Sequence, residues 1–367
     1  MPITFQRIKR VRKEPERVKI YGIQRDITSS SPEWTRTNDA VGMSATASVG
    51  DIAGRSDFDK CMPWKGMVRE TLSTGDVMVK IPKFYFRRYR EGNIEHIEIA
   101  DKPVEGFSVH PLFKHAGVEK DFAYIGAYKT SSDNKSGSGL KPTVNQTRAQ
   151  MRNSAKNKGT GWGLMDIAAL SAVQMLCLVE FANNDVQKVI GRGYSDGNRD
   201  SLKSGTCNNV PNLTGRPGGT DGKVDVVYRG IEGLWGNIYE FVDGVNFNSK
   251  TVYVCNDPSK YKDDTSTGYT KLSYSLASSS GYVSQEGLDT GANGHVMLPS
   301  ATSGSETTYY CDYGIMPGSN WYVPYVCGNW YNGSLCGLFF VCCFLSGSGL
   351  TLGSRLLYIP PTSGRDL

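Results

Sequence analysis

The sequence predicts an α+β chain, loop-rich, with two main helices set among short antiparallel strands. Three observations predict it. Few stretches carry helical periodicity. Gly, Ser, Asn and Tyr are abundant, with 42 glycines and 20 tyrosines. Two tracts, 191–222 and 275–308, are dense in turn-forming residues and read as long loops, which are uncommon unless they are functional or shape a site. A chain of 367 residues is long enough to bury a large core and to form one to three domains.

The N-terminal twenty residues carry seven basic and two acidic side chains, and the other 347 balance at 34 and 34. The net charge of +5 is therefore local. That distribution argues against a nucleic-acid protein; it describes an arm that is either a solvated tail or a grip on an acidic partner or the next subunit. Residues 21–67 read as a docking segment or irregular decoration. Val77 to Phe86 alternates well enough for one strand, and Phe122 to Tyr128 for another. Thr147 followed by Gln150 forms a capping box, opening a helix expected to reach about Lys158 and stop at Gly159. Asp166 is the N-cap of a second helix reaching about Asn183. There, Ile167, Leu170, Val173, Leu176, Val179 and Phe181 leave little polar face, so the helix should be buried on most sides.

The nine cysteines include no C-x-x-C pair, which weighs against a structural zinc site. His96, His110, His115 and His295 are widely spread, and no metal site or cofactor is expected. No charged-then-apolar leader opens the chain, so free thiols in a reducing cytoplasm are the expectation.

The tract from Gly318 to Ser354 holds no Asp, Glu, Lys, Arg, His, Gln or Met, although 21% of the chain is charged. It holds eight aromatics, four cysteines and seven glycines instead. A membrane span needs roughly 20 consecutive apolar residues, and the longest run, Leu335 to Leu345, is interrupted at Gly337. A buried strand pair is a second reading. A third is an exposed aromatic surface on Gly- and Ser-rich loops, since rigid aromatics give contact area at low entropic cost.

Two motifs bear on that choice. Gly233-Leu234-Trp235-Gly236-Asn237-Ile238-Tyr239-Glu240-Phe241 resembles the G-N-V-W-E-W signature of the formylglycine-generating-enzyme-like branch of the C-type lectin fold. Gly353-Ser354-Arg355-Leu356 resembles the G-F-R strand that closes that fold. Within it, the uncharged tract resembles the variable region of proteins diversified by retroelements, of which the phage major tropism determinants are members. In that family, errors at template adenines turn AAY codons into many residue types, but never Lys, Glu, Gln, Met or Trp.

The resemblance implies a lectin-like domain over 71–360 with a variable region of about 309–355, preceded by a basic and docking segment at 1–70 and followed by a tail at 361–367. It implies diversified, ligand-binding positions at Tyr322, Pro324, Tyr325, Cys327, Tyr331, Leu335, Phe340, Cys342, Phe344, Leu345, Gly347, Gly349, Leu350 and Leu352, with Gly314 and Ile315 as weaker candidates. Trp235, Gly236, Asn237, Glu240, Trp321, Trp330, Gly353 and Arg355 would be scaffold, with Gly328, Gly333, Gly337 and Phe339. The implied function is binding without catalysis: a trimeric phage or prophage tail-fibre adhesin, made in the host cytoplasm and carried on the virion. Its N-terminal region would join the tail, and its face would meet a bacterial surface protein or glycan. The alternative within the fold is a copper-dependent cysteine oxidase using Cys336 with Cys342 or Cys343. No Lys, Arg or His in the tract would lower those thiol pKa values. A calcium-dependent sugar lectin would show E-P-N or Q-P-D with W-N-D, and none occurs.

Overall fold

A computed structural model describes residues 17–197 and 200–361. The architecture is mixed α+β, mostly short strands with few helices and much loop. The basic side chains of residues 1–16 and the tail beyond 361 lie outside the described residues.

Helix α1 (Arg148–Lys156) opens on the expected capping box: Thr147 Oγ accepts from Gln150 N at 3.2 Å, and Gln150 Oε1 accepts from Thr147 N at 2.9 Å. Helix α2 (Ile167–Phe181) opens on Asp166, whose Oδ1 accepts from Ala169 N at 2.8 Å, and closes at Ala182 with φ 50°. All fifteen residues of α2 are buried, so it forms the axis of the core. Trp64 Nε1 donates to Leu176 O at 3.0 Å, and Gln174 Nε2 donates to Leu338 O at 3.0 Å. The helix thus reaches both the N-terminal segment and the uncharged tract.

Two five-stranded antiparallel sheets come first, one within residues 20–109 and the other drawing strands from residues 68 to 358. In one, Ile20–Asp26 lies between Ile94–Ala100 and Thr35–Asn38, with Tyr85–Glu91 and Ser108–Val109 beyond. In the other, Phe122–Lys129 lies between Val77–Pro82 and the C-terminal Arg355–Tyr358, flanked by Val68–Thr71 and Trp162–Leu164. Residues 20–70 therefore share the main core: Tyr21, Trp34, Phe58 and Trp64 pack in the same cluster as α2. They are not a separate decoration, because the register of seven residues with Ile94–Ala100 makes this segment an interior strand.

The single strand expected over 77–86 is two. The chain leaves one sheet at Pro82 and enters the other at Tyr85, with Lys83 N donating to Asp121 O at 2.8 Å and Phe84 buried between them. Alternation along a sequence does not reveal a change of sheet.

A third sheet carries the uncharged tract. Trp321–Val326 pairs with Val341–Phe344, Val245–Asn248 and Tyr239–Phe241, and the last of these pairs in parallel with Leu352–Gly353. The long 275–308 tract is fastened from beneath: Arg88 donates to Gly287 O at 2.8 Å and Val296 O at 3.1 Å, and Glu95 neutralises it.

His110 and His295 are fully buried with ring centroids 5.4 Å apart. Burial, helped by the Arg88 charge against the bond to Ala292 O, pushes His295 down to about 4. The unfolded chain then binds a proton near pH 6.5 that the folded chain refuses until about 4, so stability falls as the pH drops through that window. His295→Phe is expected to recover about 3 kcal/mol of the loss between pH 7 and 4, read from urea unfolding at each pH. An unchanged acid limb would show that His295 does not titrate this way.

Candidate functional site

The turn at Gly236-Asn237 holds the uncharged tract in place. Gly236 has φ 79°, and a Cβ there would sit 2.8 Å from the Tyr194 backbone, so only glycine fits. Its N–H donates to Cys327 O at 3.1 Å, and Asn237 O accepts from Trp330 N at 3.1 Å. Asn237 also spends its side chain on the 191–222 loop, with Oδ1 accepting from Leu202 N at 3.0 Å. Trp235 is fully buried and donates to Gly191 O at 2.9 Å. At the other end of the tract, a Cβ on Gly353 would lie 2.2 Å from Ile238 and 3.0 Å from Thr143 O. The closing strand can pass over the signature turn only without a side chain there.

Beneath the turn lies a buried ion cluster. Glu240 accepts from Arg355 Nη2 at 2.7 Å, Arg355 Nε at 3.1 Å and Lys129 Nζ at 2.6 Å. Arg355 donates further to Gly126 O and Glu232 O, both at 2.8 Å. Burial opposes ionisation of Glu240, but the Arg355 and Lys129 charges prevail and hold its carboxyl below the ordinary range. Five groups from four segments are thereby joined under the site.

Above this frame, the tract folds around a cavity of about 490 Å³ with no charged side chain in its lining. Eight of the fourteen expected ligand-binding positions line it: Tyr325, Tyr331, Cys342, Phe344, Leu345, Gly347, Gly349 and Leu352. Ile315 joins them, while Gly314 is buried. Tyr331, Phe344 and Leu345 are exposed by more than half. Tyr325 is deep in the wall, its ring stacked on Phe344 at 5.9 Å and its hydroxyl donating to Leu345 O at 3.0 Å.

The other six positions do not line the cavity. Leu350 is exposed at 72%. Tyr322 and Leu335 are half-buried against the core clusters. Pro324, Cys327 and Phe340 are buried, so they contribute packing and not a displayed surface. The reason is strand geometry. Tyr325 and Cys342 are register partners on the cavity face, so Pro324 and Cys343, the next pair, turn to the other face. Phe340 stacks on Tyr239 at 5.7 Å.

Among the scaffold positions, Trp330 is buried with Tyr194 and Ile238, and Trp321 is half-buried against Tyr253 at 5.7 Å. Gly328, Gly337 and Phe339 are buried, and Gly333 is half-buried. The four thiols of the tract are also buried. Burial raises Cys342 to about 12 and pushes up Cys327, Cys336 and Cys343 as well. Among the described residues, no group of three or more His, Cys, Asp or Glu could hold a metal ion, and no helix is long and apolar enough to cross a membrane.

Sequence reasoning missed Tyr239, Asn332, Ser348 and Thr351 in the cavity lining. Tyr239 could have been found, since it is one of the three aromatics of the signature stretch. Asn332, Ser348 and Thr351 carry no signal beyond their place in the tract. Lys129 was also missed as the second cation on Glu240, because a lysine ending an apolar strand looks like an exposed terminus. No family model matches the chain and no curated protein matches it.

Proposed function

We propose that the chain is a receptor-binding protein of the retroelement-diversified kind. In this reading its fold is the formylglycine-generating-enzyme-like branch of the C-type lectin fold, and the cavity within 315–352 is its ligand site. The observation that carries the reading is the convergence of eight expected diversified positions on one charge-free concavity. Its volume lies in the ordinary range for ligand sites, about 300–1,000 Å³.

The division of labour supports the same reading. Within the tract, the two tryptophans lie outside the adenine-derived repertoire, and Trp330 is buried while Trp321 is half-buried. Exchange of Tyr331, Phe344, Leu345 or Leu350 alters the surface without touching the Glu240 cluster. The ligand is a bacterial surface protein or glycan, recognised by aromatic anchors that exclude water. Trimeric display on a phage tail would multiply a weak single-site affinity through effective concentration. The N-terminal region would supply the attachment to the tail.

The cysteine-oxidase alternative finds little support. Nucleophilic and metal-binding thiols act as thiolates, whereas burial here keeps all four thiols protonated.

The test is the flanking DNA. A near-copy of the segment encoding about 309–355, with AAY codons at the diversified positions and a reverse transcriptase gene nearby, is the expected finding. Absence of any such repeat around the gene would sink the diversification reading.

A further inference from the structure

Tyr331, Phe344 and Leu345 line the cavity of about 490 Å³ and are exposed, and Leu350, between the lining residues Gly349 and Thr351, is exposed beside them. Among the described residues, no other large apolar side chain beyond Val118 is exposed. An exposed apolar cluster of this kind marks a protein contact. Its walls are fastened: Tyr325 Oη donates to Leu345 O at 3.0 Å, Ser346 Oγ donates to Asp264 Oδ2 at 2.8 Å, and Gly349 O accepts from Asn145 N at 3.0 Å. A wall already held in place lowers the ordering cost of binding.

Two properties of the lining choose among ligands. None of its side chains is charged, so a charge carried into it would lose its water without gaining a partner. Its hydrogen-bonding side chains are also largely spent. Asn332 Oδ1 accepts from Asn329 N at 2.8 Å, the Asn332 side chain is bonded to Tyr239 as well, and the Tyr325 hydroxyl is held by Leu345 O. The hydroxyls of Tyr331, Ser348 and Thr351 remain. A pyranose carries a hydroxyl on nearly every ring carbon, and most of these would be buried without partners. Leu345 and Leu350 at the mouth are matched by apolar protein surface and not by a sugar's hydroxyls.

We infer that the partner is a protein and not a glycan, and that it inserts an uncharged apolar side chain into this cavity. The inference rests on the receptor-binding reading of the site. The inserted group lies against Tyr325, Phe344 and Leu352, and the exposed side chains at the mouth close on the surface around it and exclude water.

The probes are N-acetyl amino-acid amides, each carrying one side chain on a neutral backbone, and methyl β-D-glucopyranoside, titrated into the full chain by ligand-observed NMR. The phenylalanine and leucine amides are expected to bind with a Kd of about 1 mM. The lysine and glutamate amides should bind at least about tenfold more weakly, and the glycoside not at all at about 20 mM. Phe344→Ala should weaken the phenylalanine amide about tenfold. Leu345→Lys should strengthen the glutamate amide about tenfold and leave the lysine amide weak, a reversal that lost packing alone would not give. Glycoside binding that Phe344→Ala removes overturns the protein partner. Equal affinity for the phenylalanine, lysine and glutamate amides overturns the exclusion of charge, and no binding by either apolar amide overturns the inserted side chain. The flanking-DNA test is separate: probes that fail beside an intact repeat sink only the ligand class, whereas probes that bind where no repeat exists uphold the protein partner and sink the diversification.

Discussion

Replacing Arg355 with alanine is expected to lower unfolding stability by about 3–5 kcal/mol, the cost of leaving a buried partner charge uncompensated. Arg355 is fully buried, and its guanidinium makes bonds to the Glu240 carboxylate and to the carbonyls of Gly126, Glu232 and Gly233. Alanine removes them together and leaves Glu240 facing Lys129 alone. Arg355→Lys keeps the charge but not the planar fork, so it should restore only part of the loss. Urea unfolding of both variants measures this, and a loss in Arg355→Ala under about 1 kcal/mol would mean that the cluster is solvated.

The pH dependence of the same cluster has a definite sign. Glu240 is held below its ordinary range when folded, so the unfolded chain takes up its proton first as the pH falls. Its contribution is fully present above the unfolded carboxylate pKa, about 4.3, and is lost as the pH falls through the folded value. Arg355→Ala should blunt this acid limb, whereas a merely smaller side chain in a neutral core would not.

Phe340 and Phe344 lie four positions apart in one tract and should respond oppositely to alanine. Phe340 is fully buried against Tyr239, so Phe340→Ala should cost about 3–5 kcal/mol of stability. Phe344 is exposed at 54%, so Phe344→Ala should change stability by no more than about 0.5 kcal/mol. Under the receptor-binding reading, Phe344→Ala instead weakens attachment to receptor-bearing cells about 30-fold, the effect of losing a central aromatic anchor worth about 2 kcal/mol. Unfolding curves and cell-attachment titrations separate the two. Equal destabilisation by both would return Phe344 to the core and remove the displayed surface; normal attachment by a folded Phe344→Ala would move the receptor site elsewhere.

The helices were legible because their signals are local. Thr147 with Gln150, and Asp166 before an apolar run, satisfy orphan backbone donors within one turn, so a few neighbouring residues specify them. The site was half legible. The uncharged tract marked where the cavity lies, and the resemblance to retroelement-diversified proteins singled out eight of the positions that line it. The same criterion also chose Cys327, Pro324 and Phe340, because it records which residues an exchange can produce and not which way a side chain points.

The chain by itself determined the two helices, the loop-rich α+β character and the charge-free composition of the 318–354 tract. Tertiary structure alone decided three things: that Ile20–Asp26 is an interior strand, that residues 77–86 change sheets at Pro82, and that Cys342 faces the cavity while Cys343 faces the core. Each depends on pairing between residues far apart in sequence, and a one-residue shift in register exchanges the two faces of a strand. Lys129 joined Glu240 and Arg355 for the same reason, since the partners of a buried charge are chosen by the folded geometry.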